Sequence, residues 1–370
     1  GSEPGASEMP SVKDLFDASG PTYLTYVTWN CPNHRRSVMA SLVQGVYVLE
    51  RDRQWNLQGP DARAPPWWSF FHFEPRQVLV DAADGSIFGA VYSFQPPPPP
   101  PPPYHHLDPT SAAAAGAPHY VVAFRGTITK KGSAKRDLEL DLQLVRNGLQ
   151  GKSRFRVATQ AIHDTLAAAA AAAGHHHHRV WLAGHSLGSA IATLAAKTLA
   201  RSGSGVILPT FLFNAPFVSA PVERIGDRRV RQGIRIAHSF VKAGVAAVVL
   251  QKQKGVHAEA SFAALAAWVP SVFVNPADPI SGEYVGYFDH RREMEAIGAG
   301  AVGRVATRNS VKDLLLGIGK GGGGCEPLHL FPSAVLTVNR APSPDFKTAH
   351  GIHQWWRPDL VLECTAHYYT

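Results

Sequence analysis

The chain has 370 residues, 45% hydrophobic and 17% charged, which is ample for a large core and allows one big domain or two ordinary ones. Its formal charge of +8 is modest for this length and accompanies no nucleic-acid module, so it reads as a solvated basic face. Cys31, Cys325 and Cys364 lie far apart in no metal or redox spacing, an odd, sparse count that fits a reducing compartment better than a secreted disulfide framework.

Residues 1–20 read as a flexible tail ahead of one domain over 21–370. Val38, Leu42, Val43, Val46 and Leu49 recur at helical spacing, so a helix is expected over Ser37 to Glu50. Trp67, Trp68, Phe70, Phe71 and Phe73 form an aromatic cluster expected to cover the core. Ser86 to Phe94 and His119 to Phe124 are rich in Val, Phe and Tyr and read as strands. Between them, residues 96–118 hold eight consecutive prolines and an alanine tract, a low-complexity hairpin loop.

Helices are expected over Asp137 to Val145 and Phe155 to Ala173. An apolar strand from Val180, a helix to about Ser202 and a strand over Ile207 to Asn214 follow. Residues 219–270 read as a helical cap insertion whose apolar residues, Phe262, Leu265 and Trp268 among them, either line an acyl pocket or pack on the core. A strand resumes at Val272 to Asn275. Asp289 to Gly298 and Val311 to Gly317 look helical, Gly321 to Gly324 is a breaker, and Leu328 to Val338 is the last strand expected. Strands alternating with helices indicate a mostly parallel sheet covered on both faces, with the helical insertion placed before the acid-bearing strand.

Gly184-His185-Ser186-Leu187-Gly188 joins the apolar run Val180 to Ala183 to a helical stretch. The bare glycine-serine-glycine pattern arises by chance in roughly one such chain in ten, so the strand-turn-helix context is what gives it weight. A serine at that apex has its hydroxyl lifted clear of the sheet. It is a weak nucleophile at neutral pH, so an imidazole must take its proton and a carboxylate must orient the imidazole. Asp278, just after the strand ending at Asn275, is the acid expected. Two histidines after the last expected strand, His353 first and His350 as the alternate, are the candidates for base. The backbone N–H of Leu187 at the helix N-terminus supplies one oxyanion donor, and Thr127, following Gly126 after the strand to Phe124, supplies the other. His175 to His178 make a poor closed metal site, and Gly319-Lys320-Gly321 lacks phosphate-loop spacing.

Phe124-Arg125-Gly126-Thr127, the Gly184 to Gly188 elbow, an Asp after a strand and a C-terminal His together resemble the class 3 lipases. Within these, Arg35-Arg36-Ser37, Gln44 to Arg53, Trp67-Trp68, Tyr284 to Phe288 and His350 to Trp356 are similar to a plant lipase-like subgroup often labelled esterase/lipase, although no Gly-Asp-Ser-Leu occurs. The resemblance covers about residues 20–360 and implies an α/β-hydrolase fold with no metal or cofactor. By it, Ser186, Asp278 and His353 match nucleophile, acid and base, and Thr127 matches the oxyanion donor. The aromatic Trp356, three places after His353, is the family habit that favours this base over His350. The implied reaction is hydrolysis of a carboxylic ester, with acylglycerol, galactolipid or phospholipid as substrate. Other readings are a small soluble or phenolic ester, or a lipase-like binding and signalling protein without catalysis. With no apolar run of about 18 residues and no apolar segment in residues 1–10, the expectation is an intracellular, cytoplasmic protein, with peripheral membrane contact as an option.

Overall fold

A computed structural model describes residues 20–63, 68–96, 116–128, 153–173, 179–217, 255–296 and 330–369. The helices expected at 137–145 and 311–317, the glycine breaker at 321–324, the histidine run at 175–178 and most of the proline loop and of the insertion lie outside these residues.

The fold starts with α1 (Pro32–Trp55), opened by a proline at its first turn and closed by Asn56 in the left-handed region. Residues Arg36 to Val48 are buried throughout, so α1 is an internal helix rather than an amphipathic surface one. An eight-stranded sheet follows in the spatial order of the chain: β1 (Phe73–Val80), β2 (Ile87–Phe94), β3 (Tyr120–Phe124), β4 (Val180–His185), β5 (Thr210–Phe213), β6 (Ser271–Val274), β7 (Ala334–Asn339) and β8 (Leu362–His367). Strands β3 to β7 run parallel, and antiparallel pairs close both ends. The parallel connections carry α2 (Ser153–Ala173), α3 (Leu187–Arg201), α4 (Gly255–Ala267) and α5 (Glu283–Ala296). Between β7 and β8 lie α6 (Phe346–His350) and a short 3₁₀ turn (Ile352–Trp356).

Two cores lie on opposite faces of the sheet, and the central strands feed them alternately. Val122, Phe124, Val180, Leu182, Leu212, Val272 and Val274 pack with α2, α3 and α5. Val121, Ala123, Trp181, Ala183, Phe211, Phe213 and Phe273 pack with α1 and the 3₁₀ turn. Burial on both faces is why these segments read as continuous apolar runs. The architecture is that of an α/β-hydrolase, as the resemblance to the class 3 lipases implies, and its mostly parallel sheet is the one expected from the alternation of strands and helices.

Two edge strands differ from the sequence expectations. Strand β1 was not expected: Pro75 and a register shift between Pro75 and Gln77 break its periodicity, which an edge strand tolerates because one side of its backbone has no partner strand. Strand β8 follows β7 and is the true last strand; half its residues are exposed, none is fully buried, and it carries Glu363, Thr365 and His367. In the aromatic cluster Trp68, Phe71 and Phe73 are buried beside α1, while Phe70 is exposed. In the insertion, Phe262, Leu265 and Trp268 are buried within the core on the α3 face. Among the described residues no helix is long and apolar enough to cross a membrane.

Candidate active site

Ser186 lies between β4 and α3 with φ 54° and ψ −125°, a conformation costly for a residue with a Cβ. Its N–H donates to the Phe213 carbonyl at 3.0 Å, and the Ser189 hydroxyl donates to Gly184 and Phe213 carbonyls at 2.7 and 3.0 Å, so β5 and the first helical turn over-determine the strained residue. The two flanking glycines are sterically required. A Cβ on Gly184 would sit 2.4 Å from the Gly188 carbonyl oxygen, and one on Gly188 would sit 2.3 Å from that of Phe124. Gly188→Ala is therefore expected to lower stability by about 3 kcal/mol or more, read as a drop in the urea midpoint.

Gly126, in the loop after β3, comes directly against Ser186, since a Cβ there would lie 2.7 Å from the Ser186 Cβ. Thr127 follows it. The loop is clamped from behind by buried Arg125, which donates to the carbonyls of Ile87 at 2.5 Å and Gly126 at 2.6 Å and lies 4.0 Å from the fully buried carboxylate of Glu50. At the helix side, Leu187 N–H belongs to the first turn and has no intrahelical acceptor, which leaves it available at the positive end of the dipole.

Asp278 follows β6 at the same sheet edge and is fully buried. Its Oδ2 accepts from His350 Nδ1 at 3.0 Å, the Ser281 hydroxyl at 2.6 Å and the Asn214 amide at 2.8 Å, while Oδ1 accepts from the Ile280 N–H at 3.0 Å. Burial opposes ionisation, yet the His350 imidazole and the Ser281 and Asn214 donors outweigh it and hold the carboxyl below the ordinary carboxylate range.

The imidazole on Asp278 is thus that of His350, not that of His353. His350 ends α6, stacked on Phe346 at 5.3 Å and tilted against His185 at 4.9 Å between centroids. With Nδ1 on the carboxylate, its Nε2 is buried and has no hydrogen-bond partner among the described residues. His353 sits in the 3₁₀ turn with its ring folded back on its own loop, where a Cβ on Gly351 would lie 2.2 Å from the His353 Cε1.

The family-model description "Lipase (class 3)" matches residues 121–239, which span the Gly126-Thr127 loop and the elbow. A protein from Arabidopsis thaliana named GDSL esterase/lipase is 46% identical over 372 residues, covering 98% of this chain and 99% of the relative. This chain belongs to the plant class 3 lipase-like α/β-hydrolases. No solved structure matches it. Like the esterases and lipases for which its family is named, this lipase-like protein is a carboxylic ester hydrolase.

Three groups at the lipase-like site escaped the sequence reading: Tyr47, Asn214 and Ser281. Asn214, at φ 48°, donates to Asp278 and to the Ala349 carbonyl at 3.1 Å and accepts from the Trp355 indole at 2.7 Å. One amide therefore ties the carboxylate to both sides of the His350 loop. Its only sequence signal is its place at the end of a strand ahead of Ala215-Pro216. Asn214→Ala leaves the buried Trp355 N–H without an acceptor and is expected to cost about 2–3 kcal/mol in chemical denaturation. An unchanged midpoint would count against this role.

Proposed function

We propose that this hydrolase cleaves lipid acyl esters through an acyl-enzyme on Ser186, with His350 as general base and Asp278 as its orienting carboxylate. The observation that carries the reading is the buried Nε2 of His350, unpartnered among the described residues, whose other nitrogen is held by Asp278 beside the Ser186 elbow. Hydrogen bonds at such sites are often incomplete until substrate arrives. In this reading His353, favoured from the sequence because of Trp356, serves the loop rather than the chemistry.

His350 Nε2 takes the Ser186 hydroxyl proton as Oγ adds to the ester carbonyl carbon, and the carbonyl π pair moves onto oxygen. The N–H groups of Leu187 and Thr127 hold that oxyanion; losing one such donor costs on the order of 3 kcal/mol of transition-state stabilisation. Collapse re-forms the carbonyl and breaks the bond to the leaving alkoxide, which receives the proton from His350. Water then loses a proton to His350 and attacks the acyl-enzyme. The second collapse releases the fatty acid and returns the proton to Ser186. Asp278 stays ionised throughout and stabilises the imidazolium.

A chain-length series of p-nitrophenyl esters, with Ser186→Ala as control, tests activity and pocket together. Turnover that rises from acetyl to octanoyl and is lost in Ser186→Ala is the expected result. A maximum at acetyl would make this a small-ester esterase, and no Ser186-dependent turnover at any length would favour a binding role.

A further inference from the structure

One buried polar chain touches the proposed machinery at three points without belonging to the triad. The Gly126 N–H lies 2.8 Å from the Tyr47 hydroxyl oxygen, that oxygen lies 2.8 Å from His185 Nδ1, and His185 Nε2 lies 2.7 Å from the backbone carbonyl oxygen of His350. Only one assignment of protons satisfies all three. The His350 carbonyl can only accept, so His185 Nε2 carries the proton. Burial, with the neighbouring His350 ring as the next cause, pushes the His185 pKa down to about 3, so its Nδ1 is a bare acceptor. The Tyr47 hydroxyl must then donate to Nδ1 and accept from Gly126. Polarity runs in one direction, from the loop after β3, through α1 and the last residue of β4, to the loop that carries His350.

We propose that Tyr47 and His185 are positioning residues for the esterase reaction, a hydrogen-bonded strut that fixes the Gly126-Thr127 loop and the His350 loop on the two sides of Ser186. The proposal rests on the Ser186–His350–Asp278 reading above and adds to it. Its immediate consequence is a division of labour between adjacent amides. The Gly126 N–H is taken by Tyr47, so the oxyanion donor from this loop is the N–H of the next residue, Thr127. At the other end, His185 holds the carbonyl of His350 itself, and so sets the backbone from which the Asp278-bound ring projects. The strut is also built from the elbow: His185 immediately precedes Ser186, so nucleophile, oxyanion loop and base loop are registered to one another through a single side chain. Neither ring reaches substrate in this arrangement. Both are buried, Tyr47 at 8% exposure and His185 at 4%.

A strut of this kind affects the transition state more than substrate binding, because displacing catalytic groups by a fraction of an ångström leaves the acyl pocket intact. The test uses the whole chain, p-nitrophenyl butyrate turnover and the rate of labelling by a fluorophosphonate. Tyr47→Phe and His185→Leu are each expected to lower kcat about ten-fold to a hundred-fold with KM within about two-fold, and to slow labelling in parallel. The double variant is expected to fall no further than the weaker single, since either change breaks the same chain. His185→Gln, which still offers a donor to the His350 carbonyl and an acceptor to Tyr47, is expected to recover kcat to within about five-fold of wild type.

Wild-type kcat in both Tyr47→Phe and His185→Leu would overturn the strut while leaving the triad reading intact. So would a loss carried by KM alone, or His185→Gln being as impaired as His185→Leu at an unchanged melting temperature. Wild-type protein with no Ser186-dependent turnover or labelling would overturn both.

Discussion

His350→Ala is expected to lower kcat for ester hydrolysis by about 10⁵–10⁶-fold, the scale seen when a triad base is removed, whereas His353→Ala stays within about ten-fold of wild type. The contrast follows from where the two rings point. His350 Nδ1 is bonded to Asp278 at 3.0 Å and its ring lies against His185, the neighbour of Ser186. His353, only three residues on, is past the end of α6 and folds against the backbone of Gly351. Asp278→Asn should cost about 10⁴-fold, since the amide keeps the shape but no longer favours the Nδ1–H tautomer or the imidazolium. Steady-state kinetics on the four proteins check all of this together. Equal losses at His350 and His353, or a larger loss at His353, would reassign the base.

The second large effect is on stability in acid. His185 has its pKa pushed down to about 3 by burial, whereas in the unfolded chain it titrates near 6.5. The unfolded state therefore binds a proton that the folded state refuses. Stability is unaffected by this group above about pH 6.5 and falls as the pH drops from there towards 3, by about 3 kcal/mol between pH 6.5 and 4. Asp278 acts in the same direction lower down, because its carboxyl is held below the ordinary range and must be protonated as folding is lost. His367, stacked on Phe288 at 4.5 Å and lowered to about 4 mainly by burial, adds a smaller share. Urea midpoints at pH 7 and pH 4 should therefore differ strongly in the wild type and markedly less in His185→Gln. Parallel pH dependence in the two proteins would contradict a neutral, buried His185.

How much of this was readable from the sequence depended on whether the relevant signal was local. The parallel strands were legible because burial on both faces leaves no polar alternation, as in Val180 to Ala183 and Tyr120 to Phe124. The elbow around Ser186 was legible because it demands glycine at 184 and 188, where an added Cβ would fall within 2.5 Å of neighbouring backbone. The edge strands were not: Pro75 interrupts β1, and half the positions of β8 face water. Nor was the imidazole that meets Asp278. His350 and His353 have the same chemistry, and the Trp356 habit pointed to His353, whereas the one that meets Asp278 is set by tertiary packing around a helix end. Trp356 instead is fully buried, in the core on the α1 face. Tyr47 and Asn214 were invisible for a related reason. A tyrosine on a buried helix and an asparagine after a strand are ordinary in isolation, and their roles come from partners 138 and 64 residues away in the chain.

The most direct measurement for the proposed site is peptide mapping of the intact protein after reaction with a fluorophosphonate. A single adduct on Ser186 is expected, forming readily in wild type and in His353→Ala and failing to form in His350→Ala. An adduct elsewhere, or undiminished labelling of Ser186 once His350 is gone, would contradict it.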